Sequence, residues 1–374
     1  MIVVGAGIVG AACAWALVRG GHRVTVLDSQ SPGSGATAAG MGHIVVMDDS
    51  SAQLQLTRYS QELWRQLAPQ LPAAAEYVQS GTLWLAADTT EMELAEKKAA
   101  LYQSFHIAAR MIAPAELSTL EPHLRPGLAG ALLVPTDAVV YSPVAVAWMI
   151  DQVRCGGGKI IIGAPVTGLA SGRVECADGE TLEADAIVVA TGTAISRLLP
   201  ELPVRSRKGH LVITDRYPGF VKHQLVELGY LKSAHATDAD SVAFNIQPRA
   251  TGQLLIGSSR QYGDESRQVN HKIVRAMLRR AFSYMPDLSG LAALRTWTGF
   301  RAASPDHLPI IGAITGRPGI YAAGGHEGLG ITTSLGTAML LADMIAENRT
   351  QIDAEPYLPA RFENAGQLPE AANG

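Results

Sequence analysis

A chain of 374 residues exceeds what one hydrophobic core supports, and at about 150 residues per domain it reads as two domains. With 47% hydrophobic and 17% charged residues it has the composition of a globular enzyme, which excludes a disordered or fibrous chain. The net charge of −4, with no basic block, leaves no electrostatic footprint for nucleic acid or an anionic membrane surface, so small molecules or proteins are the expected partners.

In chain order, "MIVV" is a short apolar run of the kind a buried parallel strand needs, and it feeds directly into Gly5-Ala6-Gly7-Ile8-Val9-Gly10. A helix is predicted from about Ile8, rich in alanine and ended by Gly20-Gly21, followed by a second strand, "HRVTVLD", closing on Asp28. Gly5 permits the tight turn, Gly7 lets backbone approach a pyrophosphate and Gly10 allows helix and strand to pack closely. The pyrophosphate then meets the free N–H groups of a helix N-terminus, and the carboxylate of Asp28 is placed to accept from an adenosine ribose. A glycine motif flanked by strand, helix and acid in this order predicts a dinucleotide site, with Ile8, Val9 and Ser29 beside it.

From Ser31 to Gly42 the chain is a run of small residues. It can lie backbone-first along a long flat ligand through Ala36, Ala38, Ala39, Gly40 and Met41, with hydroxyls from Ser34 and Thr37. A surface loop is the alternative. Residues 46 to 140 and 216 to 298 lack βαβ rhythm. Within them Asp49–Leu71 and Ser266–Leu288 carry helical spacing of apolar residues, and residues 241–261 read as two strands about a turn at Thr251-Gly252. "KIIIGAPVTGL" and "SGRVECADGETLEA" alternate as a meander that turns at Asp178-Gly179, with Val166 in its first strand. The next buried strand, Ala186 to Ala190, ends in Thr191-Gly192, small enough for a cofactor to pass its tip. No second GxGxxG follows a strand in mid-chain, so one dinucleotide is expected.

The three cysteines, Cys13, Cys155 and Cys176, are scattered without CxxC or histidine spacing, which predicts neither disulfide, metal site nor iron–sulfur cluster, and a reducing compartment. The sequence opens on a strand rather than a basic leader, and no apolar run reaches the roughly 18 residues of a spanning helix. A cytoplasmic location is expected, with membrane association through a partner left open.

Near the C-terminus "GGHEGLGITTSLG", Gly324 to Gly336, repeats the glycine-loop-into-helix pattern. The strand "GIYAAGG", the turn "HEGLG" and an apolar-spaced helix would set free N–H groups near Gly330 and Ile331. In a flavoprotein that end of the helix faces the ring edge where negative charge grows. The two loops then hold one ligand from both ends, which favours FAD over NAD.

The segments "VVGAGIVGAACAWALVRGGHRVTVLD", "GSGATAAGMG", "IVVATG", "GFRAASPDHLPIIG" and "YAAGGHEGLGITTSLGTAMLLADMI" resemble, in order and over nearly the whole chain, the D-amino acid oxidase superfamily of FAD-dependent oxidoreductases. Within it "GHEGLGIT" with "RKGHLVIT" looks most like the β-type subunits of proline and D-hydroxyproline dehydrogenases. The resemblance implies an α/β plus α+β protein, with a Rossmann-like FAD domain (1–45, 141–215, 299–350) interleaved with an antiparallel-sheet substrate domain (46–140, 216–298) and a tail (351–374). It implies FAD and oxidation of an amino or imino acid; none of the three cysteines falls in the C-terminal flavin motifs, which predicts non-covalent FAD, and oxygen, a quinone or a partner subunit is the expected electron acceptor. Arg301 would hold the substrate carboxylate and lie against the cofactor, with a pairing to Asp306 as the alternative; the family's proline after this arginine is Ala302 here. Gly325, His326, Gly328, Leu329, Gly330, Ile331 and Thr332 would hold the ring end. His326 is a candidate for proton exchange or, equally, a satisfied helix-cap histidine. Met41, His43, Phe244, Asn245 and Tyr262 are candidates for the substrate pocket, and His210 is a weaker one. Two alternatives stay open: oxidation of a 2-hydroxy acid, which needs a base, and a flavin-holding subunit of an electron-transfer complex.

Overall fold

The computed structural model describes residues 1–47, 50–229 and 240–363. One sheet has six strands in the order Ile310–Ala313, Ile320–Gly324, Ile187–Val189, Ile2–Val4, Thr25–Asp28, Lys159–Ile162, parallel throughout except for its first pair. Its central strands are wholly apolar and buried, as strands covered on both faces must be. On one face lie the helices Ile8–Arg19, Ser142–Cys155 and Gly330–Ile345. The first of these is an alanine-rich cylinder whose Ala11, Ala12, Cys13 and Ala14 are fully buried, so small side chains let helix and sheet approach closely. The three-stranded meander Val166–Ala170, Arg173–Cys176, Thr181–Glu183 packs on the other face, with Gly179 supplying the positive φ of its turn.

The second sheet has eight strands: Ala293–Ala303, Arg205–Arg216, Gln253–Arg260, Ser241–Pro248, Gln224–Glu227, Thr82–Ala86, Gly130–Val134 and Arg110–Ile112. All neighbours are antiparallel except the fifth pair, where Gln224–Glu227 and Thr82–Ala86 run parallel. Helix His271–Tyr284, capped by the Asn270 carboxamide, covers one face, and Phe244, Ile256, Met277 and Tyr284 fill the space between. The other face of this sheet looks toward the tips of the parallel strands. A parallel sheet flanked by helices beside an antiparallel sheet is the α/β plus α+β fold class expected from the sequence.

Several boundaries move. Strand Arg205–Arg216 and residues 299–303, read with the nucleotide half, are strands of the antiparallel sheet. Helix Ser51–Leu67, expected on the substrate half, buries Leu56, Trp64 and Leu67 against the helix Gly330–Ile345. "KIII" is the edge strand of the parallel sheet, not part of the meander. Of the tail, residues 364–374 lie outside the described residues, whereas Tyr357 is buried and donates to Ala52 O at 2.6 Å. Among the described residues no helix is long and apolar enough to cross a membrane, and no cluster of three ligating side chains could hold a metal ion.

Candidate active site

A cleft of about 870 Å³ runs from the tips of the parallel strands to the antiparallel sheet. At its first end the glycines are demanded by backbone, not by taste. Gly5 has φ +104°, and a Cβ there would lie 2.5 Å from Ala190 O; one on Gly10 would lie 1.9 Å from Gly5 O. Gly5, Gly7, Ile8 and Val9 line the cleft, as do Asp28, Ser29, Ser34, Ala36, Thr37, Ala39, Gly40, Met41, Val166, Ala190, Thr191 and Gly192. The Asp28 carboxylate already accepts from Ala6 N at 2.6 Å and Gln30 N at 2.8 Å, so it braces the turn with lone pairs to spare for a ribose. Thr37 Oγ1 accepts from Ile8 N at 3.0 Å and ties the small-residue run to the helix N-terminus.

Three cofactor candidates fall elsewhere. Gly10 packs helix on strand without lining the cleft, and Ala38 is exposed outside it. Thr332 is buried, its hydroxyl donating to His43 O at 2.9 Å and accepting from Val45 N, which fastens the last helix to the strand His43–Ile44.

At the far end the loop from Gly325 through His326, Gly328, Leu329 and Gly330 to Ile331 forms the wall, facing Arg301. Arg301 stands on strand Ala293–Ala303 opposite Arg207, and its Nη1 donates to Ser259 O at 2.9 Å. Its side chain is threaded between two glycines: a Cβ on Gly209 would lie 2.5 Å from Nη1, and one on Gly328 3.1 Å from Cδ. The pairing with Asp306 is not made, for that carboxylate holds Arg361 at 2.6 Å. Ala302, in place of the family's proline, keeps the ladder to Ser206, and its carbonyl accepts from Glu327 N.

His326 lines the cleft but is 8% exposed, with Nε2 3.0 Å from Thr337 Oγ1, and burial lowers its pKa to about 4, so the ring is neutral. His43 is also lowered by burial to about 4, and its buried Nε2 has no partner among the described residues. His210 accepts from Asn270 N at Nε2, which leaves the Nδ1 proton for Ser259 Oγ at 3.0 Å. Burial first, and then the charges of Lys208 and Arg301, lower it to about 4. Asn245 lines the cleft. Phe244 does not: strand alternation turns it into the apolar core, stacked 4.7 Å from Tyr284. Tyr262 also falls outside, its ring packed 4.7 Å from the Arg207 guanidinium.

Sequence reasoning missed a buried ion cluster at this end. Glu327 pairs through one oxygen with Arg207 and through the other with His307. Arg207 is 2% exposed, and Glu327 carries a positive φ of 45° beside the ring-end loop. Both lie in segments that carried the resemblance, "RKGHLVIT" and "GGHEGLG", but nothing local predicts that residues 120 positions apart meet. Trp84, Ser258, Arg260 and Arg267 also line the cleft and were not anticipated.

The residues present fit a dinucleotide carrying a flavin. The first loop brings bare backbone to the cleft at Gly5 and Gly7, a side chain being excluded at Gly5 by its φ of +104° and the Ala190 carbonyl, and Thr191 Oγ1 and His43 Nε2 are buried cleft-side atoms without a partner among the described residues. A glycine cradle at one end, a second glycine loop at the other and a guanidinium beside it define an FAD-dependent oxidoreductase. The family described as DAO, FAD dependent oxidoreductase, matches residues 1–344, and the chain belongs to it: an FAD-binding enzyme of the D-amino acid oxidase superfamily. It is 27% identical to a glycine oxidase of Geobacillus kaustophilus, over 95% of each chain. It is 26% identical to hydrogen cyanide synthase subunit HcnC of Pseudomonas aeruginosa, over 97% of this chain and 96% of that one. The solved Geobacillus kaustophilus glycine oxidase superposes with a TM-score of 0.87 at 26% identity, covering 96% of this chain and 98% of that one. An L-proline dehydrogenase from P. horikoshii shares the fold at a TM-score of 0.89 and 23% identity, covering 97% of each.

Proposed function

We propose that the protein oxidises an amino or imino acid, of the D-amino acid, proline or hydroxyproline, or N-alkyl glycine type. The single observation that carries this reading is Arg301, a guanidinium held between Gly209 and Gly328 where the ring-end loop meets the substrate sheet. Its planar fork suits a carboxylate in a way an ammonium does not. FAD, when bound, would supply the two-electron chemistry of hydride removal from the substrate α-carbon. The chain's own work is to fix the carboxylate on Arg301, shed water from the cleft and receive the amine in its neutral form. With rings lowered to about 4, His43, His210 and His326 place no positive charge beside that amine near neutral pH. The base that a 2-hydroxy acid would require is not favoured, because His326 Nε2 is engaged by Thr337.

The names of the relatives, an oxidase of glycine and a subunit of a cyanide-forming complex, support the amino-acid class and a partner subunit as electron acceptor. None of the three cysteines lines the cleft, which supports non-covalent FAD. A cytoplasmic location is part of the same reading. The test is anaerobic bleaching of the flavin by D- and L-amino acids, N-methylglycine, and proline and hydroxyproline isomers. Bleaching by at least one is expected, and Arg301→Leu should cut kcat/KM for it by about 10²–10³-fold, as loss of a desolvated charge partner does. A flavin that none of these compounds bleaches would favour the flavin-holding subunit instead.

A further inference from the structure

The Arg301 head group reaches across Gly209 to Ser259 O, so the carboxylate end of the cleft lies over strand Gln253–Arg260. One strand further, about 5 Å away, Asn245 stands opposite Gly257; Val226 is opposite Asn245 on the next strand, and Trp84 opposite Val226 on the one after. A row of side chains thus leads away from Arg301 along the cleft floor. Asn245, Ser258 and Trp84 are 5%, 3% and 2% exposed and all line the cleft. Asn245 Oδ1, Ser258 Oγ and Trp84 Nε1 have no hydrogen-bond partner among the described residues. The polarity is confined to this face, since the flanking Phe244 and Ile246 enter the apolar core. Met41 lies over Gly257, and its carbonyl accepts from Gln247 Nε2 at 2.8 Å, so the small-residue loop covers the row.

A buried polar atom left unmet costs roughly 1–3 kcal/mol, and three along one wall ask for a polar ligand. The substrate's α-amine can satisfy one of them. Trp84 stands three strands from Ser259, away from the α-amine of a substrate whose carboxylate is on Arg301, and its indole N–H only donates and so asks for a further acceptor. Resting on the amino-acid reading above, we infer that the substrate's side chain carries an uncharged hydroxyl or carboxamide, which donates to Asn245 Oδ1 and accepts from Trp84 Nε1, with Ser258 Oγ beside them. Glycine and purely apolar amino acids are then poor substrates.

Matched pairs test this in the FAD-loaded protein: serine against alanine, 4-hydroxyproline against proline and glutamine against norvaline, each as both enantiomers, followed as anaerobic flavin reduction. For the pair that reduces the flavin fastest, the polar member should be ahead by roughly 30-fold or more in second-order rate constant. Asn245→Leu, nearly isosteric, should bring the two members to within about threefold. Asn245→Ser, which restores a donor and acceptor, should recover part of the preference if the leucine variant loses its flavin. Equal rates for both members in the parent protein, or an undiminished preference in both variants, overturn the inference while leaving the amino-acid reading intact. If no compound reduces the flavin, the amino-acid reading itself fails and this inference with it.

Discussion

The two glycine loops look alike in sequence and are built on different physics. In the first, the space is set by backbone: Gly5 abuts Ala190 O and Gly10 abuts Gly5 O, and the nearest acid, Asp28, is spent partly on the turn itself. In the second, the neighbours are side chains from the other sheet: Gly328 abuts the Arg301 stem, and Glu327 is held between Arg207 and His307. Backbone cannot yield, whereas a side chain can swing away at modest cost. The first loop is therefore a fixed cradle, and the second an adjustable wall whose shape depends on distant residues.

The sharpest way to break this contrast is to add side chains at equivalent places. Gly10→Val drives a Cβ into the Gly5 carbonyl, so helix and turn must separate; FAD binding should be lost altogether, read as the absence of a flavin spectrum in folded protein. Gly328→Ala meets only the flexible Arg301 stem at 3.1 Å, although its φ of +98° adds roughly 1–2 kcal/mol of strain. That variant should keep FAD while kcat/KM falls about 10–100-fold through a displaced Arg301. A Gly328→Ala protein that loses flavin as completely as Gly10→Val would show that the second loop is as rigid as the first.

The same contrast explains how much was legible beforehand. The parallel sheet, its first helix and the cradle follow from apolar runs and glycines a few residues apart, because each element's neighbours lie close in sequence. Asp28, Thr191 and the last helix were placed the same way. The antiparallel half was legible as strands and helices but not as a surface. Phe244 and Asn245 are adjacent in sequence, and only the register to Gly257 decides that Asn245 faces the cleft and Phe244 the core. Helix Ser51–Leu67 was recognised, yet its partner, the helix Gly330–Ile345, lies over 260 residues further on. Arg207 was in plain view, and its role depends on Glu327, which no local pattern joins to it.

That pairing is the next point at which the contrast can be sharpened. Glu327→Gln keeps shape and removes the carboxylate charge opposite the 2%-exposed guanidinium of Arg207 in the adjustable wall. Breaking one side of a buried pair costs about 3–5 kcal/mol, and a well-fitted amide recovers part of this through hydrogen bonding. A loss of about 2–3 kcal/mol in urea unfolding of the FAD-loaded protein is expected. A change below about 0.5 kcal/mol would mean that the loop is held by its backbone after all.

The smallest expected effect is on pH, and it again separates the loops, since the lowered rings of His43, His210 and His326 all gather at the adjustable end. For His326 the folded pKa of about 4 lies below the ordinary 6.5, so the unfolded chain binds the extra proton between those values. Its stabilisation is complete above about pH 6.5 and is lost as pH falls toward 4. Asp137 acts in the opposite sense: burial raises it to about 7, the folded state holds its proton up to that pH, and stability from this group falls as pH rises from 3.8 to 7. Between pH 7.5 and 5 His326 alone should remove about 2 kcal/mol, Asp137 should return a similar amount, and the other two histidines tip the sum toward acid lability. His326→Gln should therefore flatten the decline in urea-unfolding free energy over that interval by about 2 kcal/mol. An identical slope in parent and variant would mean that His326 titrates as it does in the unfolded chain, with its ring open to water rather than sealed against Thr337.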